Sequence, residues 1–142
     1  MNETRRPHQI GRSIVAVLAG IATGAVLSVG TDMVLRALGI FPSLREVMAN
    51  SLLLLATIYR CIYGVLGSYV TARLAPSRPM MYALVLGCLG CAVSILGAVM
   101  TWNRGPAFGP HWYPIALIVT ALPCASAGGK TREMQLLGQR EQ

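Results

Sequence analysis

Charge is what this chain has least of. Only 12% of its 142 residues are charged, and only five of those are Asp or Glu. So few acids leave no nucleophile–base pair or paired carboxylates to serve catalysis, and an enzyme is not expected. Histidine is scarcer still. His8 in the leader and His111 at the outer edge, just before the fourth apolar run, have no partner at ligand spacing, so no metal, haem or other cofactor site is expected. Cysteine is limited to Cys61, Cys88, Cys91 and Cys124. Cys88 and Cys91 form a C-x-x-C, but mid-way along an apolar run and without a loop cysteine pair for exchange. The surroundings fit small thiols packing a helix interface, not the disulfide-forming or vitamin K epoxide reductase type of four-helix oxidoreductase.

What the chain does have is apolar length. Hydrophobic residues make up 54% of it, and its mean hydropathy is +0.58, too apolar for a soluble domain of this size. Four runs stand out, at about residues 13–38, 52–74, 80–101 and 112–127. The first three reach the roughly 20 residues needed to cross a bilayer. The fourth is short and carries Pro123, so it either sits with little tilt, continues towards Lys130, or thins the bilayer locally. The expected fold is an all-α, four-transmembrane-helix membrane bundle in a single domain, residues 1–142. The leader with Arg5, Arg6 and Arg12 has the look of a signal peptide. The following run is too long and lacks a small-x-small site, which favours an uncleaved first helix.

The net charge of +7 sits at the ends of the apolar runs. That placement fits topology signals and anionic headgroups, and no nucleic-acid partner is expected. With four spans, Arg5, Arg6, Arg12, Arg73, Arg78, Lys130, Arg132 and Arg140 share one side, against Arg36, Arg45 and Arg104 on the other. The positive-inside rule then places both termini in the cytoplasm, with Trp102, Trp112 and Tyr113 at the outer interface. The tail from Lys130 to Gln142 has a weak amphipathic pattern at Met134, Leu136 and Leu137, fitting an inner-surface helix or a disordered end.

Local chemistry marks the boundaries. Gly39 closes the first helix and Pro42 forbids its continuation. Ser43 and Glu46 have capping-box spacing, so the second helix is expected to start near Leu44. Pro76 and Pro79 bracket a short turn, and Pro114 suits the first turn of the fourth helix. Small residues recur at helical spacing: Ala16, Gly20, Gly24, Ser28 and Asp32 in the first run; Thr57, Arg60, Gly64, Gly67 and Thr71 in the second; Gly87, Cys91, Ser94, Ala98 and Thr101 in the third. Lipid gives apolar faces no reason to associate, so such stripes predict close helix contact.

Inside the runs two charges remain, Asp32 and Arg60. They lie roughly 9 and 12 Å below the outer boundary, at 1.5 Å per residue. Helical side chains lean toward their own N-terminus. On antiparallel neighbours, Arg60 therefore reaches outward and Asp32 inward, and the two converge. Arg36, one turn on, is placed either to share the carboxylate or to snorkel to the headgroups. An intramembrane charge is costly unless paired and marks a candidate site. The set Asp32, Arg36 and Arg60 reads either as a register-fixing ion pair or as a proton or cation site tuned by Arg60. Arg60 snorkelling alone or meeting an anionic headgroup is the remaining possibility. A second candidate is the outer loop, where Asn103, Arg104 and His111 face an anion or partner, or simply anchor an aromatic turn.

The stretches Tyr63-Gly64-Val65-Leu66-Gly67, Ala72-Arg73-Leu74-Ala75-Pro76, Thr101-Trp102-Asn103-Arg104-Gly105-Pro106 and Gly109-Pro110-His111-Trp112-Tyr113-Pro114 resemble small uncharacterised bacterial membrane proteins with four spans. The resemblance implies the span core and brings no activity and no functional residues. Small multidrug-resistance transporters share the size and span number, but they depend on a carboxylate deep in the first helix, whereas Asp32 is nearer the outer face. That likeness is architectural. The expectation is a non-enzymatic structural or accessory protein of a bacterial inner membrane, with the lipid bilayer and a homo-oligomer or membrane-protein partner around it. The competing expectation is a small oligomeric solute or proton-coupled transporter using Asp32 and Arg60.

Overall fold

The computed structural model describes residues 6–43, 46–105 and 108–140. The chain is all-α: four helices, α1 (Arg6–Ala37), α2 (Asn50–Leu74), α3 (Pro79–Thr101) and α4 (Trp112–Arg140), with no strand among the described residues. Each is long and apolar enough to cross a membrane. Their outward faces are rows of exposed aliphatics, such as Leu18, Val26, Val99 and Val119. In water such a surface would aggregate; in a bilayer it meets lipid, and the chain is an integral membrane protein. Arg5, Leu44, Arg45, Pro106 and Gln142, used in the sequence reading, lie outside the described residues.

The helices run antiparallel. One end of the bundle holds the α1–α2 and α3–α4 connections and is called here the two-loop end; the other holds the α2–α3 turn and the termini. α2 packs against α1, α3 and α4, α3 lies along α4, and α1 meets α3 only sparsely. Small residues make these contacts. A Cβ on Gly20 would stand 2.6 Å from the Gly67 carbonyl oxygen and collide with Thr71 Oγ1. One on Gly128 would lie 2.5 Å from the Val65 carbonyl oxygen, and one on Gly87 2.6 Å from Ala125 Cβ. Backbones this close gain dispersion contact that lipid cannot match.

The end of α1 follows its sequence signal. Gly39 has φ of +73°, Ile40 N–H donates to Leu35 O at 2.9 Å and Gly39 N–H to Arg36 O at 3.0 Å. This is a Schellman closure, and it satisfies carbonyls that the helix leaves open. The chain then turns inward, and Phe41 is buried against Ala56 and Tyr59, flanked by Leu35, Met48 and Tyr113.

Two boundaries differ from expectation. α2 begins at Asn50, not near residue 44. Glu46 N–H donates to Ser43 O at 3.1 Å without starting a helix there, while Phe41 and Met48 on either side pack against Ala56 and Tyr59. α4 does not stop near residue 127; it runs unbroken to Arg140, through Pro123 and through the former tail. Pro123 has no N–H for the carbonyl of Val119, a loss membrane helices tolerate when neighbours compensate. Gly128 and Gly129, poor helix formers in water, are held by their contacts with α2 and α3.

Candidate functional site

Asp32 and Arg60 meet. Arg60 Nη2 lies 2.8 Å from Asp32 Oδ2, tying α2 to α1. The Schellman end of α1 and the inward loop bring α2 alongside, and opposed side-chain lean brings the charges level. Tyr59, the neighbour of Arg60, donates its hydroxyl to Asp32 Oδ1, so both carboxylate oxygens are occupied. On its other side Arg60 Nη1 donates to the Tyr113 hydroxyl of α4 at 2.6 Å. The guanidinium carbon also stands 5.9 Å from the Tyr113 ring centroid, within cation–π range. One turn inward, Thr31 and Tyr63 hydroxyls are 2.8 Å apart. The set spans three helices, is roofed by the Phe41 cluster, and leaves the Asp32 and Arg60 side chains 22% and 33% exposed.

Arg36 is not part of it. It makes no ion pair among the described residues, and its buried Nε has no hydrogen-bond partner. Arg60 Nε is buried and unpartnered in the same way. The outer-loop candidates separate too. His111 stacks on Trp102, with ring centroids 4.4 Å apart and Nε2 3.3 Å from the Trp102 carbonyl oxygen. It lines a cavity of about 610 Å³ with Asn50, Thr101 and Trp102, whereas Asn103 and Arg104 are exposed and outside that lining.

A second cavity, of about 390 Å³, lies within the bundle between α1 and α3. Its wall is largely Gly, Ala and aliphatic, with Arg60, Ser28, Ser94 and Thr120 as polar points. Cys61 and Cys124 share this wall from α2 and α4, with Cys124 Cβ 3.5 Å from where a Cβ on Gly64 would stand, one turn from Cys61. The C-x-x-C is split instead: Cys88 is exposed, and Cys91 donates to Ile118 O at 3.4 Å. Among the described residues no three His, Cys, Asp or Glu side chains converge on a metal-sized point.

The residues that sequence reasoning missed are the tyrosines. All five hydroxyls in the chain bond a side chain on another helix: Tyr59 to Asp32, Tyr63 to Thr31, Tyr69 to Gln135, Tyr82 to Ser13 and Tyr113 to Arg60. The available signal was their position inside apolar runs, where a phenol needs a partner. In the Asp32 cluster each carboxylate oxygen accepts one hydrogen bond from α2. No family model, curated protein or solved structure matches this chain.

Proposed function

We propose that this protein is a structural or accessory component of a bacterial inner membrane, with both termini cytoplasmic, working by packing against membrane-protein partners or copies of itself rather than by catalysis. The observation that carries this reading is the engagement of both Asp32 oxygens by Arg60 and Tyr59, with Arg60 turned on to Tyr113. A carboxylate bound on both oxygens by its own neighbours is suited to holding helices together, because removing either partner would strand a poorly solvated charge. The orientation rests on eight basic residues against three at the two ends. Stability of charge-removed variants in mild detergent tests the clamp, and recovery of the protein as a monomer together with another membrane protein tests the accessory role.

The cavity between α1 and α3 favours one second reading, a small oligomeric solute or proton-coupled transporter with Asp32 and Arg60 at its site. The unpartnered Arg60 Nε and the hydroxyls of Ser28, Ser94 and Thr120 are its polar contacts. Four helices are thin material for a complete pathway, so this reading requires self-association. A ligand-dependent rise in melting temperature of an oligomer, abolished by Asp32→Asn, distinguishes it.

A further inference from the structure

At the termini end, α2 and α4 carry a second polar network, unlike the Asp32 clamp in one respect: it holds only positive charge. Tyr69 on α2 donates its hydroxyl to Gln135 Oε1 on α4 at 2.9 Å. Arg73 Nη1 donates to that same Tyr69 hydroxyl at 3.3 Å, and Arg132 Nη1 to the same Gln135 oxygen at 3.4 Å. Two guanidiniums are thus gathered on one phenol–amide bridge. Among the described residues the Asp32–Arg60 pair is the only ion pair, so neither arginine has a carboxylate. Two like charges oriented side by side without an acid favour an anion bound between them.

Depth says which anion. Trp112 opens α4 and Arg132 lies twenty residues along it, about 30 Å at 1.5 Å per residue, which is the thickness of a bilayer's hydrocarbon core. Arg73, in the last turn of α2, is level with it through the bridge. The network therefore stands where lipid phosphates stand, and the planar fork of arginine is suited to binding phosphate oxygens in pairs. We infer that Arg73 and Arg132, oriented by Tyr69 and Gln135, form a headgroup site for an anionic phospholipid at the α2–α4 seam.

The test uses the full chain, delipidated in an uncharged detergent and titrated with phosphatidylglycerol, phosphatidylcholine or inorganic phosphate, with bound lipid read by native mass spectrometry. Wild type is expected to prefer phosphatidylglycerol, and each of Arg73→Gln and Arg132→Gln to lower that preference about fivefold. Arg104→Gln, an equal charge change at the two-loop end, leaves it unchanged. Tyr69→Phe and Gln135→Ala keep every charge and are expected to weaken the preference as well. They decide the matter if an arginine variant does not fold. Equal losses in Arg104→Gln and the two arginine variants, or no loss in Tyr69→Phe and Gln135→Ala, would overturn the site in favour of diffuse charge. Displacement of the lipid by inorganic phosphate at comparable concentration would overturn the lipid as its occupant.

Discussion

Arg60 Nη2 sits 2.8 Å from Asp32 Oδ2, and the other edge of that guanidinium reaches Tyr113 on a third helix. Between them the two residues join α1, α2 and α4 at one level of the bundle. A charge pair at this depth is favoured when hydrogen bonds satisfy what the pair itself leaves open; the tyrosines do that for Asp32 Oδ1 and Arg60 Nη1, and Arg60 Nε stays unpartnered. Tyr59→Phe and Tyr113→Phe are each expected to cost about 0.5–2 kcal/mol of stability in detergent, the loss of one bond to a charged group. Tyr59 is expected to matter more, since its removal leaves a carboxylate oxygen bare. Melting curves of the two variants check the order.

The crossing of α1 and α2 gives a sharper contrast. Gly20 faces the Gly67 carbonyl at a separation no Cβ can enter, while Gly30, on the same helix, has nothing within 4 Å. Gly20→Ala is expected to force the helices apart and cost about 1–3 kcal/mol. Gly30→Ala is expected to leave stability unchanged or raise it slightly, by better helix propensity. Equal melting temperatures for the two variants would contradict the crossing.

The thiols predict which cysteines communicate. Mild oxidation or a short bifunctional thiol reagent is expected to join Cys61 to Cys124, because both line one cavity wall from facing helices. Cys88 and Cys91 are expected to react singly, the first from an exposed position. Peptide mapping by mass spectrometry reads the outcome, and a dominant Cys88–Cys91 link would contradict it.

The turn between α2 and α3 carries backbone strain at one place. Arg78 has φ of +44° immediately before Pro79, a conformation that glycine adopts freely and arginine does not. Arg78→Gly is expected to be neutral or to stabilise by up to about 1 kcal/mol. Ser77→Gly, which relieves nothing, is expected to destabilise. Thermal denaturation of the two separates them.

Helix period and connection length were enough to pair Asp32 with Arg60 from the sequence, because two charges in apolar runs at matched depth have few other places to go. Gly39 was legible for a similar reason: only a left-handed residue closes a helix in that way. The partners of the tyrosines were not legible. A phenol inside a run must bond something, but which helix it meets depends on rotation and crossing angle, and those are fixed by Gly20, Gly67 and Gly128 together. The shared wall of Cys61 and Cys124 was not legible either, because spacing along one helix says nothing about thiols on two others. The start of α2 was missed because a local cap signal at Ser43 lost to the burial of Phe41, a tertiary effect. The length of α4 was only partly legible: continuation towards Lys130 was one open reading, but apolarity ends near Ala127 while helical contacts with α2 and α3 continue through Gly129.

The central claim is that Asp32 and Arg60 act as a clamp. A thermal-stability cycle in detergent of Asp32→Asn, Arg60→Gln and the double variant tests it most directly. Each single change strands a poorly solvated charge and is expected to cost on the order of 2 kcal/mol or more, while the double variant recovers part of that loss. Single variants that melt like the wild type, with no coupling in the double, would contradict the clamp and leave a proton- or ion-linked role for Asp32 as the account to pursue.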